Sequence, residues 1–544
     1  MKIALAQLNY IVGDFSGNHE KIIDNISMAR QQGADLIVFA ELAVCGYPPE
    51  DLLEYRSFLQ ASEDAIRSLK LHSGDIGIII GAPSLNHQRG KAYFNSAFFI
   101  SEGEVKEIVH KALLPEYDVL EEPRYFAPGR DFKVIEFRGK RIALTVCEDM
   151  WNIGNENPLY DVCPMDMLIE QRPDFAVNIS AVNFYIGKAS LRKKVITSNA
   201  VKYKIPFFTV NHIGAQTGLI FDGGSSVASP DGLIFREMPC FEEALEVFDL
   251  DEVIKGNHED EVVMGEIELI HKALIVGIQD YFKKQNLSSA ILGLSGGLDS
   301  AVVAALATEA LGKENVRGLL MPSQYSSSHS LEDAISLAQN LGIRFDIVPI
   351  KDIFDQYIFT LQPLFAGMPE NVTEENLQAR IRAMLLMAVS NKYGNILLNT
   401  SNKSEVAVGY GTLYGDVCGA ISVLGDVYKT EVYRLAHFIN RDRIIVPLNT
   451  INKAPSAELR PGQKDSDSLP PYEVLDQILY EHIENGKGST EIVELGFDAQ
   501  MVENILRKVK FNEFKRRQAP PVLRVSRKAF GLGRKMPIVN GFSM

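Results

Sequence analysis

What this sequence has little of narrows it first. Five cysteines stand in 544 residues, an odd number, widely scattered and with no C-x-x-C pair. Neither a disulfide framework nor a thiolate zinc site is therefore expected. The histidines are dispersed too and form no H-x-x-x-H. No apolar run approaches membrane-spanning length, and MKIALAQLNYIVGDFSGN enters a strand-like run with no signal-peptide layout. Positive charge is also short, with 55 Lys and Arg against 70 Asp and Glu and a net charge of −15. That balance disfavours nucleic acid and acidic membrane as partners, while leaving room for a local basic pocket. A cytoplasmic protein acting on small molecules is the expectation.

The chain is too long for one core, so two or three domains are expected. Its first half alternates strand-like runs (IALAQLN, DLIVFAEL, GIIIGAP, AYFNSAFFI, RIALTVCED, DFAVNIS, PFFTVNH, SSVASPDGLIF) with helical stretches NHEKIIDNISMARQQG and LRKKVITSNAVKYK. That alternation predicts an α/β layer fold over 1–250. Residues 251–266 are acidic and weakly patterned, and read as a linker. From 267 the rhythm becomes helix IELIHKALIVGIQDYFKK, strand AILGL, helix AVVAALATEALG, strand VRGLLMP, helix SLEDAISLAQNLG, strand FDIVPI, a long helix near NLQARIRAMLLMAVSNKYG and strand NILLNTS. This is the pattern of a doubly wound parallel sheet over 267–544, a Rossmann-like arrangement. From LPPYEVLDQIL onward the chain reads as mainly helical, and the tail FKRRQAPPVLRVSRKAFGLGRK is basic within an acidic chain.

Between AILGL and its helix lies a turn, Gly293-Leu294-Ser295-Gly296-Gly297-Leu298-Asp299-Ser300. A glycine turn opening a helix offers backbone N–H groups and a positive dipole end to an anion. No lysine follows the glycines as in the ATPase loop. A bare loop fits cleavage between the α and β phosphates better than γ transfer. Asp299 beside a phosphate requires an intervening Mg²⁺. The competing reading is a strand-to-helix turn that needs glycine for geometry alone.

SGGLDS resembles the pyrophosphate loop of the N-type ATP pyrophosphatases, which adenylate an oxygen before a nitrogen or sulfur nucleophile attacks. ENLQARIRA (375–383), NTSNKSEVAVGYGTLYGD (399–416), YKTEVYRLA (428–436) and KAPSAELRPGQKDSDSLPPYEVLD (453–476) narrow the likeness to the NAD⁺ synthetases. The resemblance implies ATP binding by Gly293 to Ser300 and Thr400. It implies deamido-NAD⁺ binding by Asn376, Glu405 and Lys515, with Asp299 and Glu405 on Mg²⁺. Arg380 and Arg382 lie two apart on a helix and face different directions, so at most one reaches the phosphates. Lys515 sits in a basic cluster that also reads as a solvated face.

A carboxylate is a poor electrophile, and adenylation converts it into a mixed anhydride that ammonia can attack. Ammonia at neutral pH is almost all ammonium, so a source of NH₃ is needed. Cys147 follows the strand RIALTV, Glu41 ends DLIVFAEL and Lys111 begins KALLPEYDVLEEPRYF. Alone, such a cysteine is more often an inert core residue. Together with the G-Y-P-P-E-D element these residues resemble the Glu-Lys-Cys triad of the nitrilase/amidase superfamily, in its glutaminase branch. That resemblance implies an α-β-β-α sandwich, Glu41 as base, Lys111 as oxyanion partner and Cys147 as nucleophile. It adds Glu122 as a second glutamate, and Tyr47, Tyr117, Glu148, Ser180 and Lys188 as glutamine contacts. Val182 and Asn183 depart from the family pattern N-x-[SN]-A-S-P. Cys45, Cys163, Cys240 and Cys418 read as structural. The family also implies a homo-oligomer and a shielded path for ammonia. Two alternatives stay open: amidation of a different carboxylate, and an inert amidase half serving only for docking.

Overall fold

The computed structural model describes residues 1–153, 159–256 and 264–542. It divides into two compact units, Met1–Val263 and Met264–Met544. The stretch read as a linker begins inside a helix, Leu250–Lys255, and its residues 257–263 lie outside the described residues.

The first unit carries fourteen strands among its described residues: β1 (Lys2–Gln7), β2 (Leu36–Phe39), β3 (Gly77–Leu85), β4 (Tyr93–Ser101), β5 (Glu104–His110), β6 (Ile135–Phe137), β7 (Lys140–Val146), β8 (Phe175–Ile179), β9 (Phe207–Val210), β10 (Ile213–Gln216), β11 (Leu219–Asp222), β12 (Ser226–Ala228), β13 (Ile234–Glu237) and β14 (Ala244–Asp249). They form two six-stranded sheets, ordered β14-β1-β2-β3-β4-β5 and β13-β12-β9-β8-β7-β6, plus the hairpin β10-β11. One apolar core takes Ile3, Val38 and Phe99 from the first sheet and Val146, Phe175, Val177 and Phe208 from the second. The rings of Phe99 and Phe137, and of Phe208 and Phe248, meet edge-on across it. On the second sheet, Ala143 and Ala176 alternate with these large residues. They lie in a separate cluster with Met165, Leu168 and Ile196 from helices Pro164–Ile169 and Lys188–Tyr203. One core between the sheets and a second beneath the helices give the four-layer α-β-β-α sandwich. The run SSVASPDGLIF is not one strand. It splits into β12 and β13 around Ser229–Gly232, where Gly232 donates its N–H to the Ser229 carbonyl, as Pro-Asp-Gly turn chemistry dictates.

The second unit holds one parallel sheet of β15 (Ala290–Gly293), β16 (Val316–Leu320), β17 (Arg344–Ile347), β18 (Ile396–Asn399) and β19 (Ile421–Ser422), ordered β17-β16-β15-β18-β19. The order reverses between β15 and β18, so the crevice at their carboxyl ends is the switch point where such sheets bind ligands. Helices follow to Arg516, but residues 518–542 form no helix. The basic tail is not a solvated face throughout. Arg524 is fully buried, and Val525 and Ser526 donate their N–H groups to Asp426.

Candidate active sites

In the first unit, β7 ends at Val146 and the chain turns sharply at Cys147, whose φ is +46°. A side-chain-bearing residue in the left-handed region stores strain and projects its side chain off the strand end. The 3₁₀ turn Cys147–Met150 is held by Asp149, whose Oδ2 accepts the Val146 N–H at 3.1 Å. Its Oδ1 accepts the N–H groups of Ala112 and Leu113, each at 2.9 Å. This carboxylate therefore fastens the segment after Lys111 to the turn that displays Cys147.

Lys111, fully buried, donates from Nζ to Glu41 Oε1 at 2.8 Å and to Glu122 Oε1 at 2.7 Å. Burial works against its charge, but the two carboxylates outweigh it and hold its pKa well above the ordinary value. Burial pushes Glu122 up to about 7, with Lys111 opposing. Asn95 Nδ2 adds a bond to Glu41 Oε1 at 2.7 Å, and Tyr47 donates its hydroxyl to Glu122 Oε1 at 3.1 Å. Oε2 of Glu41 and Oε2 of Glu122 are buried and accept no hydrogen bond among the described residues. Burial and the Glu41 carboxylate raise the Cys147 thiol well above its usual range, although Lys111 opposes them.

Beyond the thiol, Glu148 accepts the Tyr117 hydroxyl at 2.9 and 3.0 Å and the Tyr160 hydroxyl at 3.2 Å. Lys188 Nζ lies 4.3 Å from the Trp151 ring centroid, and burial lowers its pKa. Ser180 donates its hydroxyl to Asn178 Oδ1, and Asn178 Nδ2 reaches the Cys147 carbonyl at 3.2 Å. At the departure from the family pattern, the Val182 backbone pairs with the Asn211 amide, while buried Asn183 keeps an Nδ2 with no partner.

In the second unit the switch-point crevice opens as a cavity of about 320 Å³. Gly293, Leu294, Ser295, Gly297, Leu298, Asp299 and Ser300 line one side, and Thr400 and Glu405 come from the loop after β18. Gly296 does not line it. A Cβ there would lie 2.1 Å from the Ser330 carbonyl oxygen, and its φ is +80°, so glycine is required. Asn402 caps the helix Lys403–Val408, accepting the Glu405 N–H at 2.9 Å, and donates from Nδ2 to Asp299 Oδ1 at 2.9 Å. Lys429 Nζ joins Asp299 Oδ2 and lies 3.3 Å from Glu405 Oε1. Burial pushes Glu405 up to about 8 against the pull of Lys429. Of the two helix arginines, Arg382 lines the cavity, whereas Arg380 donates from Nε to the Leu413 carbonyl at 3.2 Å.

Two expected substrate residues lie off this cavity. Asn376 Oδ1 accepts the Thr412 hydroxyl at 2.7 Å. Lys515 Nζ donates to the Gly409 and Gly411 carbonyls at 2.8 and 2.9 Å and lines a separate void of about 10 Å³ that Glu405 also lines. Among the described residues no three His, Cys, Asp or Glu side chains gather as a metal cage. Asp299 and Glu405 nevertheless offer two carboxylates to one cavity, which suits Mg²⁺, an ion that takes its remaining ligands from phosphates and water. The residues that sequence reasoning passed over are Lys429, Asn402, Asn95 and Asp149. Lys429 stands in the quoted YKTEVYRLA stretch without any spacing that marks its role.

Comparison with known proteins adds the following. A family model described as NAD synthase matches residues 270–519, and one described as carbon-nitrogen hydrolase matches 2–256. The chain is 45% identical to the glutamine-dependent NAD(+) synthetase of Synechocystis sp. over 99% of both chains. It is 40% identical to that of Thermotoga maritima, covering 100% of this chain and 99% of the relative. Among solved structures, the glutamine-dependent NAD+ synthetase of Acinetobacter baumannii in complex with ADP superposes with a TM-score of 0.78 at 37% identity. That match covers 99% of this chain and 98% of the other.

Proposed function

This chain belongs to the glutamine-dependent NAD(+) synthetases, and on that premise we propose how its residues divide the work. The reaction is the ATP-dependent amidation of deamido-NAD⁺ with nitrogen from glutamine, the final step of NAD biosynthesis. In our reading residues 1–250 hydrolyse glutamine and residues 267–544 form NAD⁺, at a cytoplasmic location.

Glutamine is cleaved through Cys147. Glu41 takes the thiol proton on its unpartnered Oε2, and the sulfur attacks the side-chain carbonyl carbon. Lys111 and the backbone N–H groups of the Cys147 turn stabilise the oxyanion. The C–N bond breaks, the proton goes from Glu41 to the leaving nitrogen, and NH₃ departs from a thioester. Water, oriented by Glu122 and deprotonated by Glu41, then releases glutamate. Tyr47, Tyr117, Glu148, Ser180 and Lys188 hold the substrate.

In the second unit, the loop Gly293–Ser300 and Thr400 hold ATP, a reading supported by their place on the wall of the switch-point cavity. Asn376, Glu405 and Lys515 hold deamido-NAD⁺. Its nicotinate oxygen attacks the α-phosphorus, pyrophosphate leaves toward the loop, and NH₃ displaces AMP from the acyl adenylate. Mg²⁺ held by Asp299 and Glu405 would supply positive charge to the phosphate oxygens.

A homo-oligomer is supported by the helices Lys351–Phe365 and Val372–Tyr393. Phe359, Leu364 and Met384 on these helices, and Met368 between them, are each at least two-thirds exposed, apolar surface that a second copy would cover.

The observation carrying the reading is the buried meeting of Cys147, Lys111 and Glu41, each at a different strand end. The test measures glutamate and NAD⁺ together, with and without ATP and deamido-NAD⁺. Equal yields that need both, with Cys147→Ala active only on added ammonium, are expected. Glutamine-supported turnover surviving Cys147→Ala defeats the assignment, and pyrophosphate release indifferent to deamido-NAD⁺ defeats the synthetase half.

A further inference from the structure

Three cationic side chains line the switch-point cavity: Arg382, Lys429 and Lys453. Two are already engaged. Lys429 is held between Asp299 and Glu405, and Lys453 Nζ lies 2.9 Å from Asp333 Oδ2 and 3.2 Å from Ser330 Oγ. Arg382 differs. Its Nε donates to the Met321 carbonyl at 3.0 Å, which fixes the guanidinium plane at the carboxyl end of β16. No carboxylate among the described residues pairs with it, and Asp416 and Glu458 act on it only from a distance. Burial pushes its pKa down to about 10 against the opposing pull of Asp416 and Glu458, so at neutral pH it remains a cation with no salt bridge among the described residues. A buried guanidinium with no salt bridge is partly desolvated, and an anionic ligand on its free fork adds charge-assisted hydrogen bonds.

The anion that enters this cavity is a triphosphate. Its β and γ groups belong at the glycine loop and the N-terminus of helix Leu298–Leu311, beside Asp299. The α-phosphoryl group gains an attacking carboxylate and has no loop of its own. We infer that Arg382 is a catalytic residue that grips the non-bridging oxygens of the α-phosphate while the group passes from pyrophosphate to the substrate carboxylate. The carboxylate oxygen bonds to the α-phosphorus as the bond to the bridging oxygen breaks. The electron pair leaves with pyrophosphate, and Arg382 keeps its protons throughout. A planar fork matches two phosphate oxygens where a lysine would meet one. Both the transfer step and the contact with ATP rest on the functional reading above, and the ATP-induced shift in melting temperature tests the contact apart from the reaction.

The test compares full-length wild type, Arg382→Gln and Arg382→Lys, with ammonium as nitrogen donor so that only the second unit is assayed. Arg382→Gln is expected to lower kcat for pyrophosphate release by about a hundredfold, with a smaller rise in KM for ATP. Its ligand-free melting temperature should hold or rise, because an unpaired buried charge has gone, while the ATP-induced rise shrinks. Arg382→Lys should recover part of the rate. A kcat and an ATP-induced shift for Arg382→Gln both within threefold of wild type overturn the inference. So does a ligand-free melting temperature that falls together with the rate, since the Met321 contact would then be what matters. Should wild type release no pyrophosphate with deamido-NAD⁺, the functional reading fails and the ATP-induced shift alone decides Arg382.

Discussion

Glu122 is one of two carboxylates sharing a single buried ammonium, and its neighbours give it a distinctive titration. Burial lifts it to about 7, against an ordinary glutamate near 4.3 in the unfolded chain. Between those values the folded protein binds the extra proton. Stability therefore falls as pH rises through that window and levels off above about 7. Melting curves from pH 5 to 8 should show Glu122→Gln gaining on wild type up to about pH 7 and then running parallel to it. Parallel curves throughout would remove Glu122 as the source of the slope. At the same scale, the cysteines separate by surroundings. Cys45 is buried with its thiol pushed up to about 12 by burial and has no base beside it, whereas Cys147 meets Glu41 and Lys111.

Elements become functional here through the side chains that tie their ends together. Asp149 joins the turn after β7 to the segment after β5, using all of its carboxylate for three backbone N–H groups. An asparagine offers one acceptor oxygen and turns an NH₂ toward a buried N–H. Asp149→Asn should therefore cost about 1–3 kcal/mol of stability. It should also lower glutamine-supported NAD⁺ formation at least tenfold, while ammonium-supported formation is retained. Assaying the two nitrogen donors side by side checks this, and equal losses on both would place the damage outside the glutaminase site. In the second unit Asn402 plays the comparable part, capping its own helix while holding Asp299 on the opposite side of the crevice.

For the whole molecule, the exposed apolar side chains of helices Lys351–Phe365 and Val372–Tyr393 set the expectation for assembly. Phe359 and Leu364 are 71% and 75% exposed, and burying such side chains is worth roughly 1.5–3 kcal/mol each. The double variant Phe359→Glu, Leu364→Glu should lower the assembly state measured by light scattering, and its melting temperature should fall to a value independent of protein concentration. An unchanged mass would show that this face is not the interface.

Much of both sites is legible along the chain because local geometry creates it. A cysteine just past an apolar strand and glycines between a strand and a helix are short-range patterns. The 293–300 loop therefore stands out as a candidate anion site, Cys147 is singled out only once the family motifs around it are recognised, and β-α alternation declares the second unit's parallel sheet. Family resemblance added Glu41 and Lys111, whose residue types alone say little. Other partnerships are long-range. Lys429 finds Asp299 across 130 residues, Arg382 finds the Met321 carbonyl across 61, and Asp149 finds Ala112 across 37. No periodicity encodes those meetings. The sequence by itself determined the alternation of strands and helices and the glycine turn between β15 and its helix, since each follows from nearest neighbours on the chain. Only the tertiary structure decided which charges are neutralised and which remain open, because burial and pairing depend on what the fold brings alongside.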